Sequence, residues 1–233
     1  MDSIIVKARN ELDLLANNVP QGKHMSTADI RKLSSKLYRT LDDHSIEHVL
    51  SLSEELLEQR NWESGVIAFD WAYKIKSQYS ENTYSVFYRW LKKYVRGWGD
   101  CDDFCTHAFG ALIRSNKHLF ENVLEWTQDG DFWVRRASAV VLIPAILRND
   151  YDGIYPYQIS DALLSDKHDL VQKGYGWMLK CLSTVDHENL INYLVDKHSV
   201  MPRTAFRYAL EKIDQETRKK LMEYLPKAGK RYG

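Results

Sequence analysis

Three features of this sequence have a placement that suggests chemistry, and the first is a cluster of acids. Asp100, Asp103 and His107 fall on one face of a predicted helix, at positions i, i+3 and i+7. Acids in the first turn of a helix complement its dipole, which explains Asp100 well and Asp103 less well. In a pocket, the carboxylate of Asp103 can stabilise a developing cation and position a water molecule.

The second feature is Arg136, which lies among apolar residues in a predicted helix over residues 131–147. The opposite side of the same helix, which includes Val134 and Val141, is also apolar. A guanidinium among apolar side chains is costly unless a carboxylate or a phosphate meets it. We therefore expect this helix to be covered on two sides, with Asp103 as the natural partner of Arg136.

The third feature is Trp177, which lies between Lys173 and Lys180 on the polar side of a predicted helix. Its indole can stack on a flat or cationic ligand, or it can pack against a neighbouring repeat, and the sequence leaves both open. Gly174 and Gly176 in the same helix lower its stability, which indicates the close approach of another backbone or of a ligand.

The elements that must position these residues are helices. Apolar residues recur with helical spacing, and we find no alternating strand pattern. Similar segments, roughly 32–38 residues apart as in two-helix solenoids, begin at Asn61, Gly97, Asp131, Asp169 and Met201. We predict an all-α chain of stacked helix pairs with a concave surface; an irregular bundle with accidental spacing is the alternative. We also expect Ser26 or Thr27 to cap a helix, and residues 100–115 to form one helix.

The composition is that of a globular protein, with 44% hydrophobic and 27% charged residues in a chain of 233. No run approaches the length of a membrane span, so we expect no membrane partner. Three cysteines without a signal peptide predict free thiols in a reducing cytoplasm. The 32 basic residues equal the 32 acidic ones, and this neutrality is a modest argument against nucleic acid.

Basic residues nevertheless recur mostly on the later helix of each predicted repeat, where they would make a local positive groove. They are Lys92, Lys93, Arg96, Arg135, Arg136, Lys173, Lys180, Arg203 and Arg207. A solvated charged face is the alternative. Cys101, Cys105 and His107 match no established zinc spacing, and no Gly-rich phosphate loop is present, so we expect neither a metal nor a cofactor.

Four motifs in this order resemble those of the AlkD-type DNA alkylation repair proteins, a superfamily of HEAT-like repeat DNA glycosylases. The motifs are M-S-T-A-D-I-R at 25–31, W-x-D-x-x-D at 98–103, F-W-V-R-R-A at 132–137 and Q-K-G-Y-G-W-M-L at 172–179. Each is weak alone, but the ordered set is fairly specific and covers most of the chain. The resemblance implies a curved solenoid of HEAT-like antiparallel helix pairs over residues 1–226, followed by a basic tail at 227–233.

The resemblance also implies a function and a site. Catalytic members of the family release alkylated, positively charged purines from double-stranded DNA held in the concave face. Asp103 matches the catalytic carboxylate, Arg136 the arginine that contacts the DNA backbone, and Trp177 an aromatic wall of the lesion site. We expect Trp98 to contact the substrate as well. The residues expected to bind DNA are Arg135, Lys173, Lys180, Arg203 and Arg207.

One position departs from the family pattern, which has two adjacent tryptophans before its acids. Here the pair is Trp98 and Gly99, so glycine stands where a second aromatic wall is expected. Trp98 is displaced by one residue, about 100° on a helix, and the loss of a cation–π partner removes about 0.5–2 kcal/mol of preference for a cationic base. We expect a monomeric DNA glycosylase for alkylated purines, with a non-catalytic DNA-binding relative or a protein-binding scaffold as alternatives.

Overall fold

The computed structural model describes residues 3–20 and 25–224, and within those ranges it contains helices and no strand. The first helices are α1 (Ser3–Asn17), α2 (Thr27–Tyr38), α3 (Ile46–Leu57), α4 (Trp62–Lys74), α5 (Glu81–Tyr94), α6 (Trp98–Thr106) and α7 (Ala108–Ser115). They are followed by α8 (Phe120–Glu125), α9 (Phe132–Val140), α10 (Ile143–Leu147), α11 (Pro156–Leu163), α12 (Asp169–Leu182), α13 (His187–Lys197), α14 (Arg203–Ala209) and α15 (Gln215–Glu223). The predicted all-α class is confirmed; the predicted basic tail at 227–233 lies outside the described residues.

The chain forms two compact units, of which the first ends at Leu112 and the second begins at Ile113. The boundary falls within α7. In the first unit the core is rich in aromatic rings, and Phe69 stacks on Phe104 with ring centroids 4.5 Å apart. In the second unit the apolar side of α12 is fully buried, with Val171, Tyr175, Met178 and Leu182 in the core. A single domain over residues 1–226 stays a prediction.

One helix of each repeat begins at a regular interval, which confirms the predicted spacing. The helices α2, α4, α6, α9, α12 and α14 start 34 to 37 residues apart. In the first unit α4 packs against both α2 and α6, and in the second α12 packs against both α9 and α14. Within each unit, the helix that begins one repeat therefore packs against the helix that begins the next repeat. Each unit is thus a stack of helical repeats.

Short polar side chains fix where the repeated helices begin. The hydroxyl of Ser26 accepts a hydrogen bond from the Asp29 backbone N–H at 3.1 Å, so Ser26 rather than Thr27 is the cap of α2. The Asn61 side chain accepts from the Ser64 N–H at 2.8 Å at the start of α4. These caps set the register of the first turns, which carry the side chains of the candidate site.

The prediction of one continuous helix over residues 131–147 is wrong, because the helix is interrupted between α9 and α10. Pro144 follows the break, and proline lacks the N–H that a continuous helix would need there. The prediction that both sides of this helix are covered is confirmed for α9, where Val134, Ala137 and Val140 are fully buried.

The single helix predicted over residues 100–115 is also wrong. It is broken at His107, whose φ of −119° and ψ of −92° lie outside the helical region. The Nδ1 atom of His107 lies 2.9 Å from the carbonyl oxygen of Asp103, the group that the His107 N–H would bond in a continuous helix. The His107 side chain therefore competes with the backbone N–H for the Asp103 carbonyl oxygen, as polar side chains often do.

Gly176 allows α12 and α14 to approach closely, as its sequence position indicated. A Cβ atom at position 176 would lie 2.7 Å from the Cβ of Tyr208 and 2.8 Å from the carbonyl oxygen of Ala205. Both are parts of α14 that cannot rotate away, so a methyl group at this position requires the two helices to separate.

We expect Gly176→Ala to lower the free energy of unfolding by about 1–3 kcal/mol, because overpacking outweighs the gain in helix propensity. Gly65→Ala in α4 is the matched control, since the nearest atom to its added Cβ would be Phe69 Cε2 at 4.0 Å. That variant is expected to gain up to about 1 kcal/mol. Chemical denaturation followed by circular dichroism measures both, and shifts of the same sign for the two variants contradict this account.

Candidate functional site

A cleft of about 770 Å³ lies in the first unit and contains the acids singled out in the sequence. Its size is within the range of small-molecule and cofactor sites. From α4 it is lined by Trp62, Gly65 and Phe69, and from α6 by Trp98, Gly99, Asp100, Asp102, Asp103 and Thr106. The structure therefore places Trp98 and Asp103, two of the residues expected to act on the substrate, in one cleft.

Asp103 is the most buried acid of the cleft, with 8% of its side chain exposed. Its Oδ1 atom accepts a hydrogen bond from the guanidinium of Arg31 and lies 3.2 Å from Nδ1 of His107. No described side chain of this unit donates to Oδ2. Within this unit, Oδ1 is thus the carboxylate oxygen that the protein holds.

Arg31 was not predicted as the partner of Asp103. It is contributed by α2, 72 residues earlier in the chain, whereas ion pairs such as Lys93–Glu58 join residues one repeat apart. Its Nη2 atom also lies 3.4 Å from Nε2 of His107, and a His107 tautomer with the proton on Nδ1 satisfies both neighbours. We expected Arg136 in this role; a contact between Asp103 and Arg136 would join the two units and stays a prediction.

Asp100 serves the start of α6, as the dipole argument indicated. Its carboxylate accepts a hydrogen bond from the backbone N–H of Arg96 at 3.1 Å. Burial raises the pKa of the Asp100 carboxyl above its usual value, and the backbone N–H groups of Arg96 and Gly97 oppose that shift.

Burial and a hydrogen bond to Glu58 raise the pKa of Tyr94, another residue of the cleft, to about 12. Tyr94 therefore keeps its proton at neutral pH.

The two adjacent positions at the start of α6 differ in what surrounds them. Trp98 is 66% exposed, so its indole projects toward solvent at the edge of the cleft. Gly99 lies against the ring of Trp62 from α4. The sequence analysis singled out Trp98 and Gly99 but not Trp62. The half-buried indole of Trp62 lies against Gly99 only because α4 packs on α6.

In the second unit, Arg136 is buried with 5% of its surface exposed, as its apolar surroundings predicted. Its Nη1 atom donates to the carbonyl oxygen of Leu170 at 2.6 Å. The side chain crosses Gly174, where an added Cβ would lie 3.0 Å from Arg136 Cγ. The close approach that Gly174 indicated is therefore made by this arginine.

Trp177 is half-buried on α12. Gly174 and Trp177 are three residues apart on α12, so they are neighbours on its surface. Arg136 of α9 thus contacts α12 at Gly174, next to the position of Trp177. Their expected roles toward DNA and the lesion stay predictions.

Three of the basic residues expected to bind DNA are engaged in ion pairs. Arg135 pairs with Asp166 at 2.6 Å, Lys173 with Asp169 at 2.6 Å, and Lys180 with Glu211. Arg203 and Arg207 are exposed, and their spacing of four residues places them on one face of α14. Of the five basic residues expected to bind DNA, these two are the most exposed.

The residues at 3–20 and 25–224 include no cluster of three or more histidine, cysteine or acidic side chains that could hold a metal ion. The side chains of Cys101, Cys105 and Cys181 are buried and not joined in disulfides. Among the same residues, every helix is too short or too polar to cross a bilayer.

The stacked helical repeats define the chain as a helical repeat protein. The cleft around the buried carboxylate of Asp103 is its candidate functional site. Residues 25–213 match the profile of the family described as "DNA alkylation repair enzyme", and the chain belongs to that family. The resemblance to AlkD-type proteins is confirmed. A solved structure from Enterococcus faecalis, described as "Predicted DNA alkylation repair enzyme", is similar in fold with a TM-score of 0.70 and 15% identity, over 82% of this chain and 87% of that one. No curated protein matches the sequence significantly.

Proposed function

We propose that this protein is a DNA glycosylase that hydrolyses the N-glycosidic bond of positively charged, alkylated purines in double-stranded DNA. The observation that carries the proposal is the carboxylate of Asp103, which is 8% exposed in an aromatic-lined cleft with one oxygen held by Arg31. Membership of the DNA alkylation repair family supports the substrate class. The protein is proposed to act as a monomer in the cytoplasm.

The proposed reaction uses the charge of the lesion itself. Alkylation makes the base a good leaving group, and the C1′–N bond breaks with its electron pair passing to the base, which becomes neutral. Positive charge then develops on the sugar, and the Oδ2 atom of Asp103 stabilises it at close range. Water adds its oxygen to C1′ and releases a proton, so that free base and an abasic site result. This reaction requires no cofactor.

The remaining predicted residues have supporting roles in this proposal. Arg31 holds Asp103 in place, Trp177 stacks on the cationic base, and Arg136 contacts the DNA backbone. Arg203 and Arg207 provide phosphate contacts, because they are the exposed ones among the five basic residues expected to bind DNA. Arg135, Lys173 and Lys180 are paired with acids, and they contribute to DNA binding only if those pairs open.

We expect Arg207→Ala to weaken binding to any duplex about threefold and to reduce the slope of log affinity against log salt by about one, since one phosphate contact is lost. Arg148→Ala is the control, because Arg148 is an exposed arginine of the same unit outside the predicted basic set. Fluorescence anisotropy with a labelled duplex at several salt concentrations measures both. Equal effects of the two substitutions contradict a specific role for Arg207.

The proposed activity is tested with duplex DNA that has been treated with a methylating agent. We expect the purified protein to release 3-methyladenine and 7-methylguanine, whose rings carry positive charge while they are attached to the sugar, and to leave neutral O6-methylguanine in the DNA. Chromatography of the free bases identifies the products. Release of none of them by a protein that binds the duplex excludes the glycosylase.

The second candidate is a DNA-binding protein without catalysis. It is favoured by the ion pair between Arg31 and Asp103, because a carboxylate that already has a cationic partner stabilises a second cation less strongly. Such a protein binds duplex DNA with an affinity that falls steeply with salt, but it releases no base. A protein-binding scaffold, the third alternative, neither binds duplex DNA in this way nor releases a base.

A further inference from the structure

Trp62 forms one wall of the Asp103 cleft, although it belongs to none of the motifs that resemble the family. It is the first residue of α4, and the hydrogen bond from the Ser64 N–H to the Asn61 side chain fixes the turn that carries it. The indole is half-buried and faces the same cleft as Asp103. An aromatic ring so placed is neither a core residue nor a fully solvated one.

Gly99 allows the Trp62 ring to occupy this position. A Cβ atom at position 99 would lie 3.0 Å from Cζ3 and 3.3 Å from Cη2 of Trp62. The six-membered part of the indole therefore lies directly against the backbone of α6. Any larger side chain at position 99 would have to displace the ring, so the glycine and the tryptophan form one structural unit.

The surroundings of Trp62 favour a flat ligand with positive charge. Asp100, Asp102 and Asp103 line the same cleft as the ring, and of these Asp103 is paired with Arg31. A π-face in a cleft with several carboxylates attracts cations. Two arginines that also line the cleft donate to backbone groups: Arg60 to the Lys93 carbonyl, with its guanidinium over the ring of Tyr94, and Arg96 to the Val95 carbonyl. Of the six residues that α6 contributes to the cleft, three are acids.

We infer that Trp62 is a specificity-determining residue, which supplies from α4 the aromatic surface that Gly99 cannot supply from α6. This inference rests on the proposed function and deepens it, because the cationic ligand is the alkylated base of that reaction. The preference for a charged purine over its neutral counterpart is then set by the Trp62 ring beside Asp103. The absence of an aromatic residue at position 99 consequently does not remove this preference.

The test compares two duplexes that differ in the charge of one base. One carries a single 7-methylguanine with 2′-fluorine on its sugar, which resists hydrolysis, and the other carries guanine with the same sugar. Trp62→Leu retains apolar bulk without a π-face, and Trp62→Phe retains the ring. We expect Trp62→Leu to lower the ratio of the two affinities about 3- to 30-fold, whereas Trp62→Phe stays within about threefold of the original protein.

A relocation of the ring provides an independent test. Gly99→Trp alone is expected to displace Trp62, while the double variant Trp62→Leu/Gly99→Trp is expected to recover most of the preference. Thermal unfolding of each variant confirms that it is folded. If the affinity ratio of the double variant stays as low as that of Trp62→Leu, an aromatic wall is not the cause of the preference for the charged base.

The outcomes separate this inference from the proposed function. An equal affinity of the original protein for the two duplexes, or an unchanged ratio in Trp62→Leu, overturns the inference. A preference that depends on Trp62 in a protein that releases no base from hydrolysable DNA overturns the glycosylase and leaves the inference standing.

Discussion

Asp103→Asn is expected to lower the single-turnover rate of base release by about 100-fold or more, since it removes the one charge placed to stabilise the sugar cation. The amide has nearly the same shape and can still accept a hydrogen bond from Arg31. Duplex binding is therefore expected to change less than about threefold, because phosphate contacts dominate it. Rapid mixing with excess protein and quantification of abasic sites measure the rate.

Asp70→Asn is the matched control for this substitution. Asp70 is a part-buried acid of the same unit, with 15% of its side chain exposed, and it accepts a hydrogen bond from Ser34 and pairs with Lys74. It lies outside the cleft, so its loss tests any general effect of removing a paired carboxylate from this unit. Similar rates for the Asp103 and Asp70 variants contradict a catalytic role for Asp103.

Arg31→Ala is expected to lower the rate of base release by about 10- to 100-fold, because small displacements of a catalytic group have effects of that size. Without Arg31, the Oδ1 atom of Asp103 loses the donor that fixes it, and the carboxylate can rotate away from the substrate. The free energy of unfolding is expected to fall by only about 1–2 kcal/mol, since 37% of the Arg31 side chain is exposed and solvent screens the pair.

The conservative variant Arg31→Lys separates positioning from a general structural role. Lysine keeps the charge but offers a single donor group without the planar geometry of arginine. We expect it to recover the unfolding free energy almost fully and the rate only in part. Rates for Arg31→Ala that match the original protein, or a loss of rate that parallels stability across both variants, contradict positioning by Arg31.

The local features of this fold could be predicted from the sequence because they depend on neighbouring residues. The helical periodicity, the cap at Ser26 and the burial of Arg136 all follow from the side chains within one turn or one helix. The break before Pro144 has a signal in the sequence, which the apolar pattern of 131–147 obscured. The break at His107 has none, since it depends on a contact between its side chain and the Asp103 carbonyl.

The candidate site could be predicted only in part, because its contacts are made between repeats. Asp103 stood out as an acid beyond the first helical turn, but its partner Arg31 is 72 residues away. Trp62 is separated from Gly99 by one repeat, and no pattern within either helix indicates that they touch. Such pairs depend on the way in which α2, α4 and α6 stack, which periodicity does not specify.

In the second unit, too, the contacts between helices are not specified by the sequence of either helix. The sequences of α9 and α12 singled out Arg136 and Trp177, but the contact of Arg136 with Gly174, three residues before Trp177, appears only in the structure. Their proposed contacts with the DNA backbone and the base are testable by the same release and binding assays. Loss of release in Trp177→Leu with duplex binding intact is the pattern expected of a residue that holds the base.

The central claim, that this protein cleaves the bond between a cationic base and its sugar, is tested most directly by one rate. A duplex with a single 7-methylguanine is incubated with excess protein, and the appearance of free base is followed beside an identical sample without protein. We predict release many times faster than the spontaneous loss. A rate that equals the background, in a sample where the duplex is fully bound, contradicts the account.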